Sequence, residues 1–162
     1  MHIEDRQVIN VQREELWDFL MQVENAAECI PGCDGVRPTG TDEYDTSMKV
    51  RVGAIRLKLE GRLRVVERDR ENWTATMKVE GIERHVGGGA NVTVTMTLVE
   101  QSPGVTELLV KTDAKILGKL GEFGQPVMKK KAAAITEQFA RTISERIGQD
   151  GGARARPGQS GR

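Results

Sequence analysis

Between Tyr44 and Ile116 apolar and polar side chains alternate with a period of two, the pattern of strands that bury one face. Tyr44, Thr46, Met48, Val50 and Val52 fall on one side. After a turn at Gly53-Ala54 the same side continues through Ile55, Leu57, Leu59, Gly61, Leu63 and Val65. The intervening Arg56, Lys58, Glu60, Arg62 and Arg64 are all charged and are expected to face water. Trp73, Ala75, Met77 and Val79 form a third inward row, and Ala90, Val92, Val94, Met96 and Leu98 a fourth. Leu108, Val110, Thr112, Ala114 and Ile116 form a fifth. One dry and one wet face per strand predicts a single curved antiparallel sheet covered on one side only.

The period changes at both ends of this region. "QPVMKKKAAAITEQFARTISERI" carries Met128, Ala132, Ile135, Phe139, Ile143 and Ile147 at three- and four-residue spacing, which predicts a long helix with one apolar face. Pro126 suits its first position, with Gly124 just ahead. At the other end "IEDRQVIN" predicts an edge strand. "EELWDFLMQVENAAEC" predicts one helix or two short ones with Leu16, Phe19, Leu20 and Val23 on the apolar side. Strand, short helices, a run of strands and a long helix make an α+β domain over residues 1–147. Residues 148–162, "GQDGGARARPGQSGR", lack apolar periodicity and are expected to be a disordered polar tail.

Charge and composition remove several functions. Lysine plus arginine number 24 and aspartate plus glutamate 24, so no bulk charge draws the protein to nucleic acid. Aromatic residues are 4% of the chain, too few for the stacking platforms of a single-strand binder. No apolar run reaches the roughly 20 residues that cross a bilayer, and "MHIEDRQVIN" does not resemble a secretory leader. A cytosolic protein with free thiols is expected.

Both cysteines lie in "ECIPGCDG", Glu28 to Gly35. Pro31 and Gly32 suit the central positions of a type II turn, and Ile30, preceding proline, should end the helix before it. A structural zinc needs four ligands, and beyond Cys29 and Cys33 only the distant His2 and His85 are candidates. Three residues separate the thiols where a thioredoxin-type site has two, and the flanks are acidic. The stretch therefore reads as a turn with Cys29 as a small buried side chain. In "HVGGGAN" the glycines precede a strand, not the helix a phosphate loop needs, and predict a bend or bulge that also leaves room for close approach. His85 is the one plausible base for nucleophilic catalysis, and otherwise a surface histidine. Asp42, Glu43 and Asp45, and the run Lys129 to Lys131, read as solvated.

In "KILGKLGEFGQPVM", Gly118, Gly121 and Gly124 recur every third residue with Leu117, Leu120 and Phe123 between them. Two readings fit: a plain glycine-rich loop, or a mobile apolar gate at one end of the space between sheet and helix.

With the element order, "ECIPGC", the strand pair "KVRVGAIRLKLEGRLRVVE" and "LGKLGEFGQPVM" in place, the sequence resembles the carbon monoxide dehydrogenase CoxG family over residues 1–147. The resemblance implies a helix-grip fold of the START/birch-pollen-allergen-like superfamily, in which a curved sheet wraps a long C-terminal helix around an apolar cavity. It further implies a non-enzymatic accessory protein that binds a hydrophobic ligand, a respiratory quinone, and holds no tightly bound cofactor or metal. Its implied partner is a molybdenum hydroxylase of the carbon monoxide dehydrogenase type, met in the cytoplasm or peripherally on the inner face of the cell membrane. The inward rows and gate then supply the candidate lining: Leu57, Leu59, Trp73, Met77, Val94, Met96, Leu108, Val110, Leu120, Phe123, Met128, Ile135 and Phe139. For any one of these, ordinary core packing is the competing role. Two other functions compete with the carrier. One is a cyclase- or hydrolase-like enzyme on an apolar substrate, for which the inward rows offer Tyr44, Thr46 and Thr112. The other is a ligand-free assembly factor that docks through Arg56, Lys58, Arg62 and Arg64 or the lysines of the last helix.

Overall fold

The computed structural model describes residues 1–148; the expected tail lies outside the described residues from 149 onward. The elements are β1 (His2–Ile9), α1 (Arg13–Met21), α2 (Val23–Ala27), β2 (Cys33–Gly40), β3 (Glu43–Val52), β4 (Ile55–Asp69), β5 (Thr74–Glu83), β6 (Gly88–Ser102) and β7 (Val105–Leu117). A 3-10 segment (Gly118–Phe123) and α3 (Gln125–Ile147) complete the fold. The seven strands form one antiparallel sheet in the order β1-β7-β6-β5-β4-β3-β2, so the chain's first strand closes onto its last.

The alternating pattern places the strands correctly because each pleat fixes side-chain direction. Arg56, Lys58, Glu60, Arg62 and Arg64 are all solvent-facing, while Leu57 and Leu63 between them are buried. Two members of the expected rows behave differently. Ile55, at the tip of the two-residue Gly53-Ala54 hairpin, is exposed, since the sheet ends there and nothing covers it. Trp73 is not in a strand: it sits in the turn before β5 with φ of 55°, and its ring stands edge-on to Trp17 at 5.9 Å. Guanidinium groups of Arg13 and Arg70 cover that ring at 4.3 and 3.8 Å, which holds the turn against α1.

Cys29 and Cys33 are free, and the turn between them has the expected geometry. The Cys33 amide donates to Ile30 O at 3.2 Å, and Gly32 has φ of 83°. Gly32 also abuts the Lys49 carbonyl of β3, leaving no room for a Cβ. Cys29 is buried, and burial pushes its thiol above the ordinary range, against the opposing pull of Arg146.

The core divides in two. The larger part lies where α1, α2 and the C-terminal half of α3 meet β1, β6 and β7, and includes Ile9, Leu16, Trp17, Leu108, Phe139 and Ile143. Trp17 joins it beyond the expected face of Leu16, Phe19, Leu20 and Val23, of which Phe19 and Val23 are half-buried. The smaller part is Val52, Leu57 and Leu120, at the end of the sheet where the β3–β4 hairpin, the 3-10 segment and the start of α3 converge. Full burial stabilises an aliphatic side chain by about 1.5–3 kcal/mol, so both parts anchor the helix. α3 runs beside β1, where the Thr136 hydroxyl donates to Asp5 at 3.5 Å.

Candidate functional site

The candidate lining residues fall into the two halves of the core rather than around one centre. Leu108, Val110 and Phe139 are buried in the larger part, with Trp73, Val94 and Met96 packed against it. Leu57 and Leu120 are buried in the smaller part, with Leu59, Phe123 and Met128 packed against it. Met77 and Ile135 belong to neither and are not fully buried. The inward-row residues Met48, Val79 and Val92 are likewise incompletely buried. The middle of an inward sheet face is ordinarily its driest part, since interiors pack without gaps. Here the middle stays accessible while both ends are filled. A helix running along one edge strand leaves that middle uncovered, so sheet and helix border an apolar space with a wall at each end.

The wall at the hairpin end is built from glycines. Gly87 and Gly88 have φ of 99° and 126°, and Gly118 has φ of 68°. A Cβ on Gly88 would strike the Leu117 carbonyl, and Gly118 meets Gly88 itself. The "HVGGGAN" glycines thus admit a close approach, and the approaching backbone is the chain's own 3-10 segment. The Leu120 amide donates to Gly87 O at 3.0 Å, which seats the Leu120 side chain against Val52 and Leu57. The glycine-rich stretch is therefore neither an open loop nor a bare gate but a short 3-10 helix with a buried leucine, because the β5–β6 turn offers it a carbonyl and a flat glycine surface. Phe123 is half-buried beside it.

Sequence reasoning misses one residue of this wall. Glu83 continues the inward row of β5 through Gly81 and is 1% exposed. Its Oε2 accepts the Lys58 amide at 2.6 Å, and its Oε1 accepts the His85 and Val86 amides at 2.6 and 2.8 Å. Burial pushes its carboxyl up, but the three backbone donors and the neighbouring His85 outweigh this and hold it below the ordinary glutamate value. Glu83 therefore ties β4 to the turn that seats the 3-10 segment. His85 itself is exposed at the same turn.

Tyr44 is half-buried on the inward face; burial, with Glu24 and Asp42 nearby, pushes its phenol up, so it stays a neutral donor. The Thr46 hydroxyl donates to Gly35 O at 2.9 Å and lies 3.6 Å from Cys33 Sγ. Among the described residues no group of three or more His, Cys, Asp and Glu is placed to hold a metal ion. No described helix is long and apolar enough to cross a membrane.

A cleft of about 820 Å³ lies on the opposite, outer face of the sheet, over Gly61 and Gly81. Its charged lining is largely paired with itself: Arg37 and Arg62 reach Asp45 at 3.1 and 3.9 Å, and Arg84 reaches Glu60 at 3.5 Å. It lacks the apolar walls that a hydrophobic ligand needs. The inner space, with its accessible methionines and aliphatics, has them.

The family model for CoxG, a component named for carbon monoxide dehydrogenase, matches residues 6–148. No curated protein matches the chain. Among solved structures, a conserved protein from Geobacillus kaustophilus superposes with a TM-score of 0.82 at 21% identity, covering 93% of this chain and 97% of that one. A START superfamily protein from Mycobacterium smegmatis gives 0.60 at 14% identity, over 91% and 97% of the two chains. The Zhui aromatase/cyclase from Streptomyces sp. R1128 gives 0.60 at 13%, over 90% and 94%. At these identities the likeness is one of fold, and the fold is the helix-grip arrangement of START-type proteins.

Proposed function

The chain belongs to the carbon monoxide dehydrogenase CoxG family, and on that premise we propose that it is a non-enzymatic carrier of a hydrophobic small molecule, a respiratory quinone. The observation that carries this reading is the accessible apolar middle of the inward face, Met48, Met77, Val79, Val92 and Ile135, between two filled ends. Thioether side chains adapt to apolar guests of varied shape, and burial of the guest supplies on the order of 25 cal/mol per Å². The partner is a carbon monoxide dehydrogenase-type molybdenum hydroxylase, to which the carrier presents its ligand from the cytoplasmic side of the membrane.

A catalytic role is the poorer fit. The buried carboxylate at the end of β5 already accepts three backbone N–H groups, and Tyr44 and Thr46 have no base beside them. The cyclase activity named for one structural neighbour belongs to that protein.

The test is to purify the protein, extract it with organic solvent and analyse the extract by mass spectrometry with ultraviolet detection. A stoichiometric quinone absent from a similarly purified control is the expected result. A clean extract after incubation with candidate quinones would reject the carrier. Phe123→Asp should weaken quinone retention with little loss of fold, since Phe123 is half-buried at the hairpin-end wall. Unchanged retention would remove Phe123 from the exit path.

A further inference from the structure

The β3–β4 hairpin carries charge in two opposite ways along its outer face. Away from the tip its cross-strand pairs attract or are neutral: Glu43 faces Arg64, Asp45 faces Arg62 and Ser47 faces Glu60. At the tip the next two outer-face rungs repel, Lys49 facing Lys58 and Arg51 facing Arg56. Like charges directly opposite one another destabilise a strand pair. All four residues are solvent-facing, and none has an ion-pair partner among the described residues.

The neighbouring segments repeat this imbalance. Residues 115–131, which run through the 3-10 segment into α3, carry five lysines against the single acid Glu122. α3 opens with no acid in its first turn and has Lys129, Lys130 and Lys131 soon after, near the positive end of the helix dipole. None of this favours folding. Over the same end three aliphatic side chains protrude: Ile55 is 43% exposed, Leu117 41% and Val127 42%. The chain as a whole is neutral, with 24 cations and 24 anions, so the cations are gathered on one end.

Repelling cations with no internal counter-charge call for an external anion, and interspersed aliphatics call for an apolar phase just behind it. An anionic bilayer surface supplies both, charged headgroups over acyl chains. We propose that the two like-charged rungs of the β3–β4 hairpin, with Ile55 at the tip, dock this end of the protein on an anionic lipid surface. Docking in that pose sets the 3-10 segment and Phe123 against the headgroups. It requires no ligand in the interior, so it stands or falls apart from the carrier reading.

The full chain is mixed with phosphatidylcholine vesicles, with and without about one third phosphatidylglycerol, at about 0.1 M and about 0.5 M salt, and co-sedimentation is measured. The comparison variant is Lys49→Gln/Arg51→Gln/Arg56→Gln/Lys58→Gln. Binding to the anionic vesicles alone, lost at high salt, is expected for the parent. At roughly fivefold per cation near the surface, the variant should bind on the order of a hundredfold more weakly or worse. Because the substitutions relieve repulsion, its melting temperature should be unchanged or higher. Ile55→Ser should weaken vesicle binding without altering the salt dependence. Equal binding to neutral vesicles, or anionic binding that survives the fourfold change, would overturn the proposal; the latter would pass the role to cations elsewhere, including the three arginines of residues 148–162. Indifference to vesicles with salt-sensitive binding to polyglutamate would also overturn it and assign the rungs to an acidic protein surface. None of these outcomes bears on whether quinone is extracted.

Discussion

Glu83→Gln is a near-isosteric change at one buried carboxylate, and its cost follows from the geometry. The carboxylate takes two N–H groups on Oε1 and one on Oε2, at 2.6 to 2.8 Å. A glutamine has one acceptor oxygen. If it keeps the His85 and Val86 amides, its own NH2 group faces the Lys58 N–H, donor against donor. A hydrogen bond to a charged group contributes roughly 1.5–3 kcal/mol, and a stranded buried donor costs roughly 1–3 kcal/mol. These overlap, so the expected loss is about 3 kcal/mol. For a chain of this size that corresponds to a fall in Tm of roughly 6–12 °C. The pH dependence has a defined sign. The folded-state pKa lies below the unfolded one, so the stabilisation is complete above the unfolded glutamate value near about 4.3 and fades as pH falls through the folded value. Urea unfolding at neutral pH and at about pH 3.5 should therefore show a gap between the parent and the variant that narrows on acidification. Amide exchange at Leu120 should quicken in the variant, because Glu83 organises the turn whose Gly87 carbonyl receives that N–H. A variant within about 0.5 kcal/mol of the parent at neutral pH, or a gap that ignores pH, would refute this account of Glu83.

Two further predictions concern the glycine contact and the thiols. Gly88→Ala should destabilise by roughly 2–4 kcal/mol, since φ is 126° and the new Cβ would meet the Leu117 carbonyl; full stability by chemical denaturation would show that the 3-10 segment is not seated there. In the native protein a thiol reagent at about pH 8 should modify Cys33 promptly and Cys29 slowly, because burial excludes the reagent and keeps the Cys29 thiol protonated. In denaturant both should react at once, and prompt native modification of both would contradict the burial of Cys29.

The sequence alone carried the elements and their inward faces. A pleat turns each successive side chain to the opposite face, so Leu57 and Leu63 declared the dry side of β4 and Arg56 to Arg64 its wet side. Pro31 and Gly32 likewise carried their own turn, because the two torsions are fixed by the residues themselves. Glu83 was legible in principle, as a carboxylate at a dry position two residues beyond Gly81, but the glycine interrupts the apolar row that would have drawn attention to it. Trp17 was hidden by the brevity of α1, whose few turns do not define a face sharply.

What the sequence did not decide is which inward residues are dry. Solvent exposure depends on what lies across from a residue, and pattern is silent about that. Only the path of α3 along β1 leaves Met48, Met77 and Ile135 incompletely covered while Leu108 and Phe139 are sealed. Local pattern is written in the torsions and periods of neighbouring residues. The filled ends, the accessible middle and the meeting of Gly88 with Gly118 arise between segments far apart in the chain, and so belong to the tertiary structure.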